Sequence, residues 1–281
     1  MTLKEAEDLI DEIESIDLKT NSGLDKFNNI IEDKVIKSYL FKLTITPHES
    51  LFYVRARIHK KIDDYFKTID DHSYNKKNAD YIKKGRANFE KQAVFYVARD
   101  RITSLAEVNI IQNKKEEEKV AYGLSRWLVK KPMDIIAILN PDTMDKLNWG
   151  ELEKFKKFLI SEYKSLKGTN KEGTIRFYKY LSEKFTQRIV EGEEHKYTLT
   201  STFTNQIFKK LPQIAGILYQ SVKLPETYNL AIKPEFIDNQ FMMPEGFGKQ
   251  IFTRKNIVDL EEISLEMSIS FDTDKNVVKW K

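Results

Sequence analysis

Apolar residues recur at helical spacing at the start of the chain: Leu3, Ala6, Leu9, Ile10, Ile13 and Ile16, with acids between them. They predict an amphipathic helix ended by "NSG" at 21–23. A second helix follows, with Leu24, Phe27, Ile31 and Val35 on one face. The period then changes. "SLFYVRARI" (50–58) alternates, with Tyr53, Arg55 and Arg57 on one face and Val54, Ala56 and Ile58 on the other. That pattern predicts a strand with one apolar and one strongly basic face. Residues 59–84 are rich in Lys and Asn and read as loop with one short helix. "AVFYVA" (93–98) predicts a compact buried strand, and "DRITSLAEV" a helix capped by Asp100 or Thr103.

Two apolar strands follow, "AYGLSRWLV" and "MDIIAIL", and "NPDT" (140–143) is a turn signal. Residues 150–166 and 174–190 carry helical periodicity interrupted by "KGTNKEGT", and read as a largely charged helical insertion. "YTLTSTFTNQIFKKL" (197–211) predicts a helix, and "IAGILYQSV" and "YNLAI" predict strands joined by a "KLPET" turn. Further short strands are expected around 236–241, 251–253, 263–271 and 277–280. Strand runs broken by helices, without a regular βαβ alternation, indicate an α+β fold. The expected division is an N-terminal helical appendage (1–45) on a main domain (46–281), with the insertion at about 140–195.

Composition narrows the chemistry. The chain has 281 residues, 41% hydrophobic and 32% charged, enough for a sizeable core. It has no cysteine, which removes disulfides and thiolate catalysis and fits a reducing cytoplasm. No apolar run approaches the roughly 20 residues of a membrane span. The net charge of +4 is too mild to argue for direct nucleic-acid binding. No P-loop or HExxH motif occurs, and His48, His59, His72 and His195 lack metal-ligand spacing, so no metal is expected. "EGFGK" (245–249) lacks the strand-to-helix context of a dinucleotide fingerprint.

Four islands remain, in the order "FYVRARI", "GRAN", "AVFYVARDRITSLAEV" and "AGILYQSVKLPETYNLAI". Their order and content resemble the RES-domain family, a bacterial group related to ADP-ribosyltransferases and named for its Arg, Glu and Ser. The likeness spans roughly residues 50–235. It departs from the family at Ala87, where an aromatic is usual, at Ala93 in place of a proline, and in the long insertion. By this resemblance the family Arg falls on Arg55, with Arg57 as second candidate, and the arginine of the glycine turn is Arg86. The strand tyrosine is Tyr96, the Glu is Glu107 and the Ser is Ser221.

The resemblance implies an ADP-ribosyltransferase-like fold of mixed or antiparallel sheets flanked by helices. It implies NAD as substrate, cleaved at the nicotinamide–ribose bond by a glycohydrolase or phosphorylase, in a toxin that a helix-turn-helix antitoxin blocks. Glu107, Arg55 and Ser221 would then be catalytic, while Arg57, Arg86 and Tyr96 would bind the dinucleotide. Guanidinium suits a pyrophosphate, and a carboxylate steadies the developing ribosyl cation. Taken singly, the residues also read blandly: Arg55 and Arg57 as solvated cations, Tyr96 as a core ring, Glu107 as half of an ion pair. Two other functions stay open, an ADP-ribosyltransferase with its acceptor surface on the insertion and a non-catalytic binding module. A homodimer is also open.

Overall fold

The computed structural model describes residues 1–35, 40–76, 79–108, 119–190, 192–254 and 260–280. Nine strands form one mixed sheet: Lys42–Ile45 (β1), Phe52–Ile58 (β2), Phe95–Ala98 (β3), Lys119–Val129 (β4), Met133–Ile138 (β5), Ile214–Gln220 (β6), Tyr228–Ile232 (β7), Met242–Arg254 (β8) and Leu260–Met267 (β9). Their order across the sheet is β1-β5-β6-β7-β3-β2-β4-β8-β9. Every pairing is antiparallel except β5 with β6, where the chain crosses over through helices. A short hairpin of Ser270–Asp272 (β10) and Val277–Lys279 (β11) lies outside the sheet. The fold is α+β, as the pattern of elements indicates.

The N-terminal helices Leu3–Glu14 (α1) and Asn21–Ile30 (α2) form where the apolar spacing places them. "NSG" does not end the first helix, however. Thr20 accepts from the Gly23 N–H at 3.0 Å, so these residues are the capped first turn of α2, which runs on into a wider turn at Ile31–Val35. Between β1 and β4 lie two short helices, Ile69–His72 (α3) and Arg101–Glu107 (α4). The crossover carries Glu153–Leu166 (α5), Glu172–Thr186 (α6) and Thr198–Lys210 (α7), and Pro234–Asp238 (α8) precedes β8.

The helices of residues 140–195, expected as a largely charged insertion, pack into the core. Leu159, Tyr163 and Leu166 of α5 and Phe177, Tyr178, Leu181 and Phe185 of α6 are buried in the same cluster as the strands β5, β6 and β7. Their lysines and acids occupy only the outer faces, as expected of amphipathic helices. The N-terminal helices join this cluster too: Ala6, Leu9, Ile10 and Ile13 are buried against it. Here Gly173 is required, because a Cβ on it would lie 1.8 Å from the Thr2 carbonyl oxygen. Tyr180 and Lys184 of α6 then bind Glu14, at 2.6 and 2.8 Å.

Two further expectations change at the C-terminal end. Residues around 236–241 are not a strand, since α8 starts at Pro234, whose fixed φ suits the first helical turn. The strand expected at 251–253 is the end of a longer one, β8, which pairs with β4 through a register shift between Arg126 and Trp127.

On the far side of β2, α3 brings His72 into an aromatic box. It is 1% exposed, with ring centroids of Phe247 and Phe66 at 4.5 and 5.2 Å. Burial above all, and then neighbouring His59, push its pKa down to about 3. The unfolded chain takes up this proton near pH 6.5, whereas the native state does not until about pH 3. The contribution to stability is therefore complete above the unfolded value and is lost as pH falls through that window. Urea unfolding should show stability falling already between about pH 6.5 and 5, above the carboxylate range, and His72→Phe should flatten that slope.

Candidate active site

The sheet parts between β2 and β3. Their ladder consists of one pair, Val54↔Ala98, whereas β2 pairs with β4 over its whole length. Below the junction the strands diverge and leave a cleft of about 210 Å³. Arg55, Tyr96, Ser104, Glu107, Tyr219 and Asn229 line it.

Arg55 bridges the parting strands. Its Nη1 donates to the Tyr96 carbonyl at 2.7 Å, and the guanidinium lies 5.4 Å from the Phe95 ring centroid. Its Nε is buried with no hydrogen-bond partner. Arg55 and Arg57 are both half-buried, and each holds a main-chain carbonyl and lies over an aromatic ring, so neither is a freely solvated cation. Burial first, and then the charge of Arg57, bring the Arg55 pKa down to about 9. The group stays charged at neutral pH and carries an unrelieved desolvation cost, which an anion in the cleft would offset.

Arg57 points elsewhere. Its Nη1 donates to the Asp71 carbonyl at the end of α3, and its guanidinium lies 5.5 Å from the Phe66 ring centroid. It is not among the residues that line the cleft. Of the two arginines, Arg55 is the one in the cleft lining.

Tyr96 faces the cleft with its ring while its hydroxyl is fully used. The hydroxyl donates to Asn88 Oδ1 at 2.8 Å and accepts the Ala87 N–H at 2.9 Å. The "GRAN" turn exists to hold that hydroxyl. Gly85 and Asn88 form an isolated bridge, and a Cβ on Gly85 would lie 2.6 Å from Asn88 Oδ1 and 3.1 Å from the tyrosine oxygen. Burial raises the Tyr96 pKa, so the phenol stays neutral. Arg86 leaves the same turn away from the cleft floor, donating from Nη2 to the Gln187 carbonyl at 2.9 Å.

Glu107 is the last residue of α4, and both ends of that helix are tied down. Asp100 caps it, accepting the Thr103 N–H at 2.8 Å, and the Thr103 hydroxyl lies 2.9 Å from that of Thr227, just before β7. At the other end Glu107 Oε1 accepts from Ser221 Oγ at 2.6 Å and from Asn229 Nδ2 at 2.8 Å. Ser221 Oγ also accepts the backbone N–H groups of Lys223 and Leu224, at 3.2 and 3.1 Å. Both hydroxyl lone pairs are taken, so its proton is committed to Glu107. Oε1 thus holds two donors, and Oε2 has no partner among the described residues. One oxygen is fixed to the protein and the other is left for a ligand.

Of the six residues read from sequence, Arg55, Tyr96 and Glu107 line the cleft, and Ser221 acts on it through Glu107. Arg57 and Arg86, expected to bind the dinucleotide, are not in its lining. Ser104, Tyr219 and Asn229 were missed. Ser104 lies one helical turn before Glu107, and Asn229 is the polar residue within the buried run Tyr228–Ile232, which is a readable signal. Tyr219 carries no such mark.

Among the described residues no group of three or more His, Asp or Glu is placed to hold a metal, and no helix is long and apolar enough to cross a membrane. No curated protein sequence matches the chain. The RES domain family model matches residues 55–245, a stretch that opens on Arg55 and contains every residue of the cleft. That match covers more than half of the chain, and this chain belongs to the RES domain family.

Proposed function

We propose that the cleft binds the nicotinamide riboside end of NAD and cleaves the bond between nicotinamide and ribose, in keeping with the toxin-like or NAD-related role that the family supports. What carries the reading is the Glu107 carboxylate, anchored through Oε1 by Ser221 and Asn229, with Oε2 open in a cleft that the half-buried Arg55 also lines.

In the reaction the bond from C1′ to the ring nitrogen breaks, and its electron pair neutralises the pyridinium. The ribose carbon becomes cation-like. Oε2 of Glu107 would accept the ribose 2′-hydroxyl and stabilise that positive charge. A water oxygen then bonds to C1′ and loses a proton to solvent, giving ADP-ribose and nicotinamide. Tyr96 and Tyr219 would pack against the nicotinamide and exclude water from its face. Their own positions are fixed, Tyr96 by its turn and Tyr219 against Phe185 at 5.6 Å between centroids. Arg55 supplies positive charge towards the phosphates. A cleft of about 210 Å³ is smaller than the roughly 300–1,000 Å³ of a site enclosing a whole drug-sized ligand. It suits the nicotinamide riboside end, with the phosphates and adenosine outside.

Transfer of ADP-ribose to a macromolecule would use the same bond cleavage. The helices expected to offer its acceptor surface still expose their charged outer faces, and hydrolysis is the reading that needs no acceptor but water. A helix-turn-helix antitoxin covering this cleft and a cytoplasmic location remain part of the proposal.

The purified chain should release nicotinamide from NAD without an added protein. Glu107→Gln keeps the shape and both hydrogen-bond partners within reach but removes the charge. It should lower kcat/KM by about 10³-fold, with circular dichroism unchanged. Unchanged nicotinamide release by that variant defeats the assignment. Ser221→Ala should cost less, about 10- to 100-fold, because it loosens a hydrogen bond to a charged group and leaves the carboxylate in place.

A further inference from the structure

Stacking and exclusion of water do not tell nicotinamide from any other pyridine. Its mark is the carboxamide, with two N–H donors and a carbonyl acceptor. Most hydroxyls at the cleft are already taken. Ser221 gives its proton to Glu107 Oε1 at 2.6 Å and accepts two backbone N–H groups. The Tyr96 hydroxyl is held between Asn88 and the Ala87 N–H. Thr103 Oγ1 lies 3.1 Å from both carboxylate oxygens of Asp100 and 2.9 Å from the Thr227 hydroxyl.

Ser104 differs. It lines the cleft and is 5% exposed, yet its hydroxyl has no hydrogen-bond partner among the described residues. Helical serines commonly bond the carbonyl four residues back. Here the Asp100 carbonyl takes the Ser104 backbone N–H at 3.0 Å but not its hydroxyl. The oxygen is open to the cleft rather than sealed in protein. A buried hydroxyl without a partner is unfavourable, and a ligand group in the cleft would relieve it. Its place is also fixed relative to Glu107. The two stand three residues apart on α4, which sets their Cβ atoms about 5–6 Å apart on one side of the helix. In nicotinamide riboside the 2′-hydroxyl and the carboxamide stand on opposite sides of the bond to be cleaved, each within two bonds of its ends. A ligand whose 2′-hydroxyl meets Glu107 thus carries its carboxamide at a spacing comparable to one helical turn.

We propose that Ser104 is a specificity-determining residue whose hydroxyl accepts a carboxamide N–H of the nicotinamide leaving group. The proposal rests on the NAD reading of the cleft and adds to it the contact that selects the base. Glu107 then serves the ribose, and Ser104, one turn earlier on the same helix, reads what the ribose carries.

The test compares NAD with its 3-acetylpyridine analogue, in which a methyl group replaces the carboxamide –NH2, in the full parent chain and in Ser104→Ala. Alanine is the best helix former, so α4 is kept, and circular dichroism checks it. Comparing parent with variant on each substrate cancels the different reactivity of the two leaving groups. Where the analogue is cleaved slowly, its inhibition constant against NAD is read instead. Ser104→Ala should lower kcat/KM for NAD about 10-fold and leave the analogue within about 2-fold. Equal loss on both substrates overturns the proposal, because the hydroxyl would then serve the ribose or the helix. No loss on either overturns it equally. If the parent cleaves NAD and only the selectivity fails to change, Ser104 alone is wrong. If the parent neither cleaves nor binds either dinucleotide, the NAD reading itself fails and the assignment of Ser104 falls with it.

Discussion

Where β2 and β3 meet, a sheet that is otherwise continuous is held by the single pair Val54↔Ala98. An unpaired strand edge inside a protein leaves main-chain carbonyls without donors, which is costly to bury. Here the Arg55 guanidinium fills part of that role by donating to the Tyr96 carbonyl. A charged side chain thus substitutes for the missing ladder and places a cation at the mouth of the gap it closes. The same parting lets α4 approach β2, where Leu105 packs with Val54, Ala56, Tyr122 and Leu124 in a second, smaller apolar cluster. Opening the cleft, siting the cation and seating the helix that bears Glu107 are consequences of one interrupted ladder.

The carboxylate is positioned by contacts from distant parts of the chain. Glu107 stands on α4, Ser221 at the end of β6, and Asn229 within β7 opposite Tyr219. Ser221 is itself fixed by the backbone of the turn that follows it, whose Thr227 is in reach of Thr103 on α4. The turn therefore touches both the helix that presents the carboxylate and the hydroxyl that orients it. Chemistry that depends on one oxygen atom needs such support, since a displacement of about 1 Å costs orders of magnitude in rate.

Much of this was legible along the chain because its signals are local. The spacing in α1, the cap at Asp100, the alternation in β2 and the order of the islands around Arg55, Arg86, Tyr96, Glu107 and Ser221 all follow from short-range pattern. What was not legible depends on tertiary partners. Alternation shows that Arg55 and Arg57 share a face, but their partial burial needs Phe95, on another strand, and Phe66, in the loop after β2, which the pattern does not bring to them. The lysine-rich α5 and α6 looked like a solvated insertion because charge is counted around the whole helix, whereas burial depends on one stripe. The length of β8 was hidden by its glycines and proline, which the pairing with β4 tolerates through a register shift.

The arrangement of charge then separates two tasks. Arg55 is half-buried and meets no carboxylate, so its cost is offset only when an anion enters. Glu107 carries the opposing charge in the same cleft, with one oxygen bound and the other open. If the two met as an ion pair, each would quench the other and the cleft would close on itself. Holding Arg55 on a main-chain carbonyl and Glu107 on neutral donors keeps them apart. A dinucleotide whose phosphates are negative and whose ribose turns positive during cleavage would satisfy both groups at once, which neither a simple anion nor a simple cation does.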